Sequence, residues 1–247
     1  MQNALKSQLK IGKTTFGVTI TIGSPEVPYA LGSLGLDWVN FDSQHSVLNN
    51  STISGMIQAL GNSKTVPIVR VLSNDPSQIN KALDMGAQSV IVPLVNTRSE
   101  AEKAVRSAKY KPPGSRSYGS RVSLRDPDYT TTADNEIMVI PQIETALALQ
   151  NVEEIVTTDG VDAVFCGPYD LSMSLGIFRQ FENPIFQRAV ESFVSVCKAH
   201  GVAPGLSAPT GPVQKDIQLG FKLISLGGDL SFLIRGLGDV LRSAKHE

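Results

Sequence analysis

The chain has 247 residues, 41% of them hydrophobic, enough to bury a large core as one big α/β domain or two small ones. Its 22 lysines and arginines face 23 acids with no basic block, which speaks against a nucleic-acid binder and leaves small-molecule chemistry or protein contact. Cys166 and Cys197 are far apart and in no metal or CxxC spacing, no run of about 18 apolar residues occurs, and the N-terminal MQNALKSQLKIGK lacks an apolar signal core; a disulfide framework, a zinc knuckle, secretion and membrane spanning are thereby disfavoured and a cytoplasmic setting is expected.

Short apolar, β-branched runs recur along the chain. The first is FGVTITI (16 to 22), and the second, WVNF (38 to 41), ends in Asp42, Gln44 and His45. VPIVRV (66 to 71) carries Arg70 and is followed by Ser73, Asn74 and Asp75. Helical apolar spacing then covers 77 to 87, SVIVPLV (89 to 95) reads as a fourth strand, and a second helix is expected over 99 to 108. Residues 110 to 135 are polar and broken by proline and glycine; this reads as an irregular excursion, and its length predicts that it covers a site or meets another subunit. IMVIPQI (137 to 143) leads into Gln142 and Glu144, and DAVFC (162 to 166) into Tyr169 and Asp170. A long helix over 186 to 201 precedes the last two runs, VAPGL (202 to 206) and KLISL (222 to 226).

Eight strands alternating with helices in this length are the pattern of a (β/α)8 barrel, and the continuously apolar runs suit parallel strands covered on both faces. The absence of GxGxxG after the first strand and of GxxxxGK[ST] anywhere removes the main signatures of a nucleotide-binding open sheet. No shift in composition marks a linker, so residues 1–247 are expected to form a single domain.

In such a barrel catalytic groups stand at the C-terminal ends of the strands. Taken singly each polar residue there has a plain explanation: Asp170 as a helix cap, Glu144 in a first helical turn, Arg70 in a surface ion pair, His45 in a loop, Asp42 as a backbone acceptor. Together they describe two carboxylates suited to Mg²⁺ or Mn²⁺, an arginine for a developing oxyanion, and a histidine oriented by Asp42 to move a proton. That combination is enolate chemistry.

The same residues lie in motifs, FDSQH, PIVRV with SNDP, LDMGAQSVIVPLV, YKPPGSR, PQIET, VDAVFCGPYDLSMSLG and ISLGGDLSFL, by which nearly the whole chain resembles the HpcH/HpaI family of metal-dependent class II pyruvate aldolases. The resemblance implies a (β/α)8 barrel of the phosphoenolpyruvate/pyruvate type. It also implies a homo-oligomer, trimer or hexamer, with exchanged C-terminal helices, and cleavage of a 4-hydroxy-2-oxo acid to pyruvate and an aldehyde. Glu144 and Asp170 would bind the divalent cation (Mg²⁺, Mn²⁺ or Co²⁺), Arg70 the pyruvate carbonyl oxygen, and Gln142 and the backbone near Tyr169 would help hold pyruvate. His45, supported by Asp42, would be the acid/base, with Asp84 a further partner across a subunit boundary. Gln44 departs from the family pattern, which usually has Glu there and so one more negative charge near the site. Two rival readings are a coenzyme A ester lyase of the citrate lyase β-subunit or malyl-coenzyme A type and a non-catalytic keto-acid-binding relative.

Overall fold

The computed structural model describes residues 2–245. Eight strands, β1 (Thr15–Ile20), β2 (Trp38–Asp42), β3 (Val66–Arg70), β4 (Ser89–Val92), β5 (Met138–Ile143), β6 (Ala163–Cys166), β7 (Ala203–Leu206) and β8 (Leu223–Gly228), close in chain order into a parallel barrel. The ring is sealed where β1 pairs with β8, with a register shift between Gly17 and Thr19. Each apolar run expected as a strand is one.

Side chains alternate between the two faces of a strand, so every second residue enters the barrel. The inward stripes are Trp38, Asn40 and Asp42 on β2, Val66, Ile68 and Arg70 on β3, and Met138, Ile140 and Gln142 on β5, with Glu144 in step just beyond. Each stripe is apolar at its foot and polar at its head. Trp38 lies so close over β1 that a Cβ on Gly17 would stand 2.1 Å from its Cδ2, which is why that strand has glycine there. Its ring meets Phe165 edge-on, with centroids 5.9 Å apart. The N-terminal helix Ala4–Lys10 closes the barrel from below, with Leu5 and Leu9 joining the interior cluster of Trp38, Ile68 and Phe165.

A second, larger core lies between the strands and the surrounding helices, where the fully buried Ile53, Met56, Ile79, Leu83, Phe193 and Phe221 sit. The helices expected over 77 to 87, 99 to 108 and 186 to 201 run Pro76–Asp84, Arg98–Ala108 and Pro184–Ala199. Cys166 and Cys197 are both free and buried, and burial pushes both thiols up. No helix among the described residues is long and apolar enough to cross a membrane.

One region differs from expectation. Residues 110–135 are not wholly irregular: they hold a 3₁₀ turn, Arg121–Leu124, and the start of the helix Tyr129–Glu136. They do not cover the strand heads of their own chain either, because a connection from a helix to the next strand returns to the N-terminal end of the barrel. The buried Tyr129 and Arg116 pin the segment there, Arg116 Nη1 donating to the phenol oxygen at 3.0 Å. The last helix, Asp229–Lys245, is fixed at its start by the Asp229 carboxylate, which accepts from the amides of Thr21, Ile22 and Leu230. Beyond Phe232 it leaves the barrel, and Leu233, Ile234, Leu237, Val240 and Leu241 are exposed.

Candidate active site

The polar heads of the stripes open on a cavity of about 380 Å³ at the C-terminal end of the barrel. His45, Arg70, Gln142, Tyr169 and Asp170 line it, over a floor of Trp38 and Phe165. Asp42 and Glu144 stand directly behind that wall, each 2% exposed.

Asp42 and Arg70 are register partners on adjacent strands, and both point inward. Arg70 Nε donates to Asp42 Oδ1 at 2.9 Å and Nη2 to Oδ2 at 2.7 Å, a fork that holds the guanidinium plane. Burial alone would raise the Asp42 carboxyl. The bonds and charge of Arg70, with the amides of Gln44 and His45, outweigh burial and hold it below its ordinary value. Arg70 is therefore part of an interior pair and not of the surface pair that its sequence position also allowed.

His45 is exposed at the rim, in the bend after β2. Its backbone amide donates to Asp42 Oδ1 at 3.3 Å, as does that of Gln44 at 3.0 Å. The expected contact between Asp42 and the imidazole is not made, because both carboxylate oxygens are engaged by Arg70 and the loop amides. Asp42 thus orients His45 through its backbone.

Across the cavity, Glu144 Oε1 accepts from the Leu94 amide at 2.8 Å and Oε2 from Gln142 Nε2. Burial pushes the Glu144 carboxyl up, the Gln142 and Leu94 bonds oppose that, and the charge of Asp170 adds to the rise. Neither acid is a helix cap: Thr145 caps the helix after Glu144, and the helix Pro168–Ser174, which carries Asp170, has no side-chain cap. Tyr169 stands edge-on to Phe181, centroids 5.4 Å apart, with the Arg179 guanidinium 5.7 Å from its ring.

Gln44 does not line the cavity, and its Oε1 is buried without a partner. Asp84 lies at the end of the helix Pro76–Asp84, towards the N-terminal end of the barrel, and accepts from Arg116 Nη2 at 2.8 Å. Within one chain it is not a neighbour of His45.

Sequence reasoning missed three supports. A Cβ on Gly167 would lie 2.7 Å from Glu144 Oε2 and 3.0 Å from Gln142 Nε2, so only glycine lets the strand end pass. Leu94 presents its amide to Glu144 from a left-handed backbone, φ 54°. Asn40 and Trp38, inside the barrel, line the cavity with Asn40 Oδ1 and Trp38 Nε1 unpartnered. A polar residue inside the apolar run WVNF was the one visible signal.

Residues 23–236 match the HpcH/HpaI aldolase/citrate lyase family. A 4-hydroxy-2-oxo-heptane-1,7-dioate aldolase of Salmonella paratyphi C (strain RKS4594) is 35% identical over 242 residues, 96% of this chain and 92% of that one. The crystal structure of an HpcH/HpaI aldolase/citrate lyase family protein from Burkholderia cenocepacia J2315 superposes with TM-score 0.93 at 29% identity, covering 99% of this chain and 100% of the other. That of the citrate synthase SbnG gives 0.89 at 31% identity, covering 99% and 98%.

Proposed function

The chain belongs to the HpcH/HpaI aldolase/citrate lyase family, and from that premise we propose that this carbon–carbon lyase cleaves a 4-hydroxy-2-oxo acid to pyruvate and an aldehyde. The observation that carries the reading is the convergence of Arg70, His45, Gln142 and Asp170 on one cavity, with Asp42 and Glu144 behind them. Arg70 keeps the N–H groups not spent on Asp42 for the C2 oxygen, where negative charge develops as the C3–C4 bond breaks. His45 takes the proton of the C4 hydroxyl, so that C4 leaves as the aldehyde. The electron pair remains as the pyruvate enolate, and protonation at C3 releases pyruvate. Gln142 and the backbone around Tyr169 hold the carboxylate end.

The donor set fits a hard divalent cation. Two carboxylates, with the charge of Asp170 adding to the rise at Glu144, stand by Gln142, whose Nε2 donates to Glu144 and whose buried Oε1 has no partner in the chain. Among the described residues no cluster of three or more His, Cys, Asp and Glu forms, so a cation held by Glu144 and Asp170 would complete its shell with water and substrate oxygens, as Mg²⁺ and Mn²⁺ do. When bound, such a cation (Mg²⁺, Mn²⁺ or Co²⁺) supplies an electrophile beside the C2 oxygen. Gln44, neutral where the family pattern has an acid, leaves the site one negative charge poorer. A homo-oligomer completes the reading, since Asp84 reaches a His45 only if a neighbouring subunit brings it.

Two reactions sharing one enolate test the assignment. Oxaloacetate decarboxylation forms the enolate with no hydroxyl proton to remove, whereas aldol cleavage needs a base as well, a role worth about 10² to 10⁴ in rate. His45→Ala should cripple cleavage and spare much of the decarboxylation, and Arg70→Ala should depress both. Equal losses in His45→Ala would make His45 a binding residue. No lysine among the described residues lines the cavity, so borohydride with pyruvate should leave activity intact and chelation should abolish it.

A further inference from the structure

The cavity is wider than the proposed chemistry uses. Its wall on β8, β1 and β2 carries a polar group made of Asn40, Thr19, Trp38 and Ser225. Asn40 is 4% exposed; its Nδ2 makes one long bond, 3.4 Å, to Thr19 Oγ1, and its Oδ1 has no partner. Trp38 Nε1 is likewise buried and unpartnered, and Ser225 bonds only at 3.4 Å, to the Gly227 carbonyl. These atoms line the cavity with no partner in the chain, so their hydrogen-bonding capacity is left for whatever the cavity holds.

Register locates the wall. Thr19 pairs laterally with Asn40 on one side and Gly228 on the other, and Gly17, beneath Trp38, pairs with Ser225. Asn40 stands one inward step below Asp42, and its β3 partner Ile68 one inward step below Arg70. The polar wall therefore lies directly under the Asp42–Arg70 fork. With the C2 oxygen on Arg70 as proposed above, this wall is the surface beneath the reacting carbons.

The geometry points to a hydroxyl subsite: Asn40, with Thr19 and Trp38, reads a hydroxyl on a carbon adjacent to the reacting centre, and Asn40 is a specificity-determining residue. An acceptor (Asn40 Oδ1) and a donor (Trp38 Nε1) match the two faculties of a hydroxyl, and a methyl group satisfies neither. The inference rests on the aldolase reading and deepens it. The hydroxyl belongs either to the 2-oxo acid or to the aldehyde, and the two sources are separable.

The experiment compares kcat/KM within two pairs that exchange hydroxyl for methyl. One pair is hydroxypyruvate against 2-oxobutyrate with a common aldehyde, the other glycolaldehyde against propanal with pyruvate. The wild type should prefer the hydroxyl member of one pair by about tenfold or more, the pair identifying the source. Asn40→Leu should remove that preference and Thr19→Val weaken it. A ratio measured on one preparation is insensitive to the folded fraction. Equal use of both members in both pairs by the wild type overturns the inference, as does a preference undiminished in Asn40→Leu, the result a merely water-filled recess would give. If no pair turns over, calorimetry with Mn²⁺ decides. Tighter binding of hydroxypyruvate than of 2-oxobutyrate, or of glycolaldehyde than of propanal with pyruvate present, keeps the subsite while the aldolase reading falls, and equal binding or none in both pairs overturns the subsite too.

Discussion

Leu94 is a leucine where the backbone favours glycine. At φ 54° an L residue is strained, and a β-branched one more so, yet this turn aims the Leu94 amide at Glu144 Oε1. The side chain itself is 53% exposed, so it does little in the core to justify its place. Substitution should then follow backbone preference and not side-chain likeness. Leu94→Gly should keep Mn²⁺ affinity, while the apparently milder Leu94→Val should weaken it about tenfold, in the range found when a partner supporting a ligand is lost. Titration of the two variants by calorimetry checks this; an affinity that falls in Gly and holds in Val would mean that the leucine side chain matters and the amide does not. None of this was readable from SVIVPLV. Left-handed geometry at Leu94, and the need for glycine at 167, arise from the approach of Glu144, some fifty residues from the first and twenty from the second.

Elements were more legible than the contacts between them. Parallel strands covered on both sides are apolar throughout, which is why VPIVRV and IMVIPQI could be read as β3 and β5 with their ends nearly in place. The helix Tyr129–Glu136 escaped notice because its sequence, YTTTADNE, is polar and its hold on the barrel comes from the distant Arg116. The N-terminal helix Ala4–Lys10 escaped for a different reason. Seven residues do not make a stable helix alone, and this one exists because Leu5 and Leu9 fill the barrel foot. Leu5→Ala should therefore cost about 2–4 kcal/mol in a denaturant titration and leave KM unchanged, the cavity being at the other end. A changed KM at unaltered stability would show that helix and site are coupled.

At the scale of the whole molecule the last helix is the unfinished part. Leu230, Leu233, Ile234, Leu237, Val240 and Leu241 recur at three- and four-residue steps on Asp229–Lys245, and all are exposed. A stripe of this kind marks an interaction surface, and a second copy of the chain, exchanging the same helix, would cover it at no cost in new sequence. Light scattering should find an oligomer for the wild type and smaller species for Leu233→Lys with Leu237→Lys; a monomeric wild type would leave the stripe to another partner. The plug formed by Leu5 and Leu9 bears on something else again: the sequence in which molecules pass. With its foot closed, the described barrel opens at the rim where His45 stands, and in the proposed reaction the fragment that His45 helps to create would lie nearer that opening than the one held on Arg70 and Gln142. Departure would then be ordered, aldehyde before pyruvate. In initial-rate studies of cleavage pyruvate should compete with the 4-hydroxy-2-oxo acid for the empty enzyme, and the aldehyde should inhibit noncompetitively; in synthesis the barrel must admit pyruvate first, and an aldehyde that arrives early waits outside.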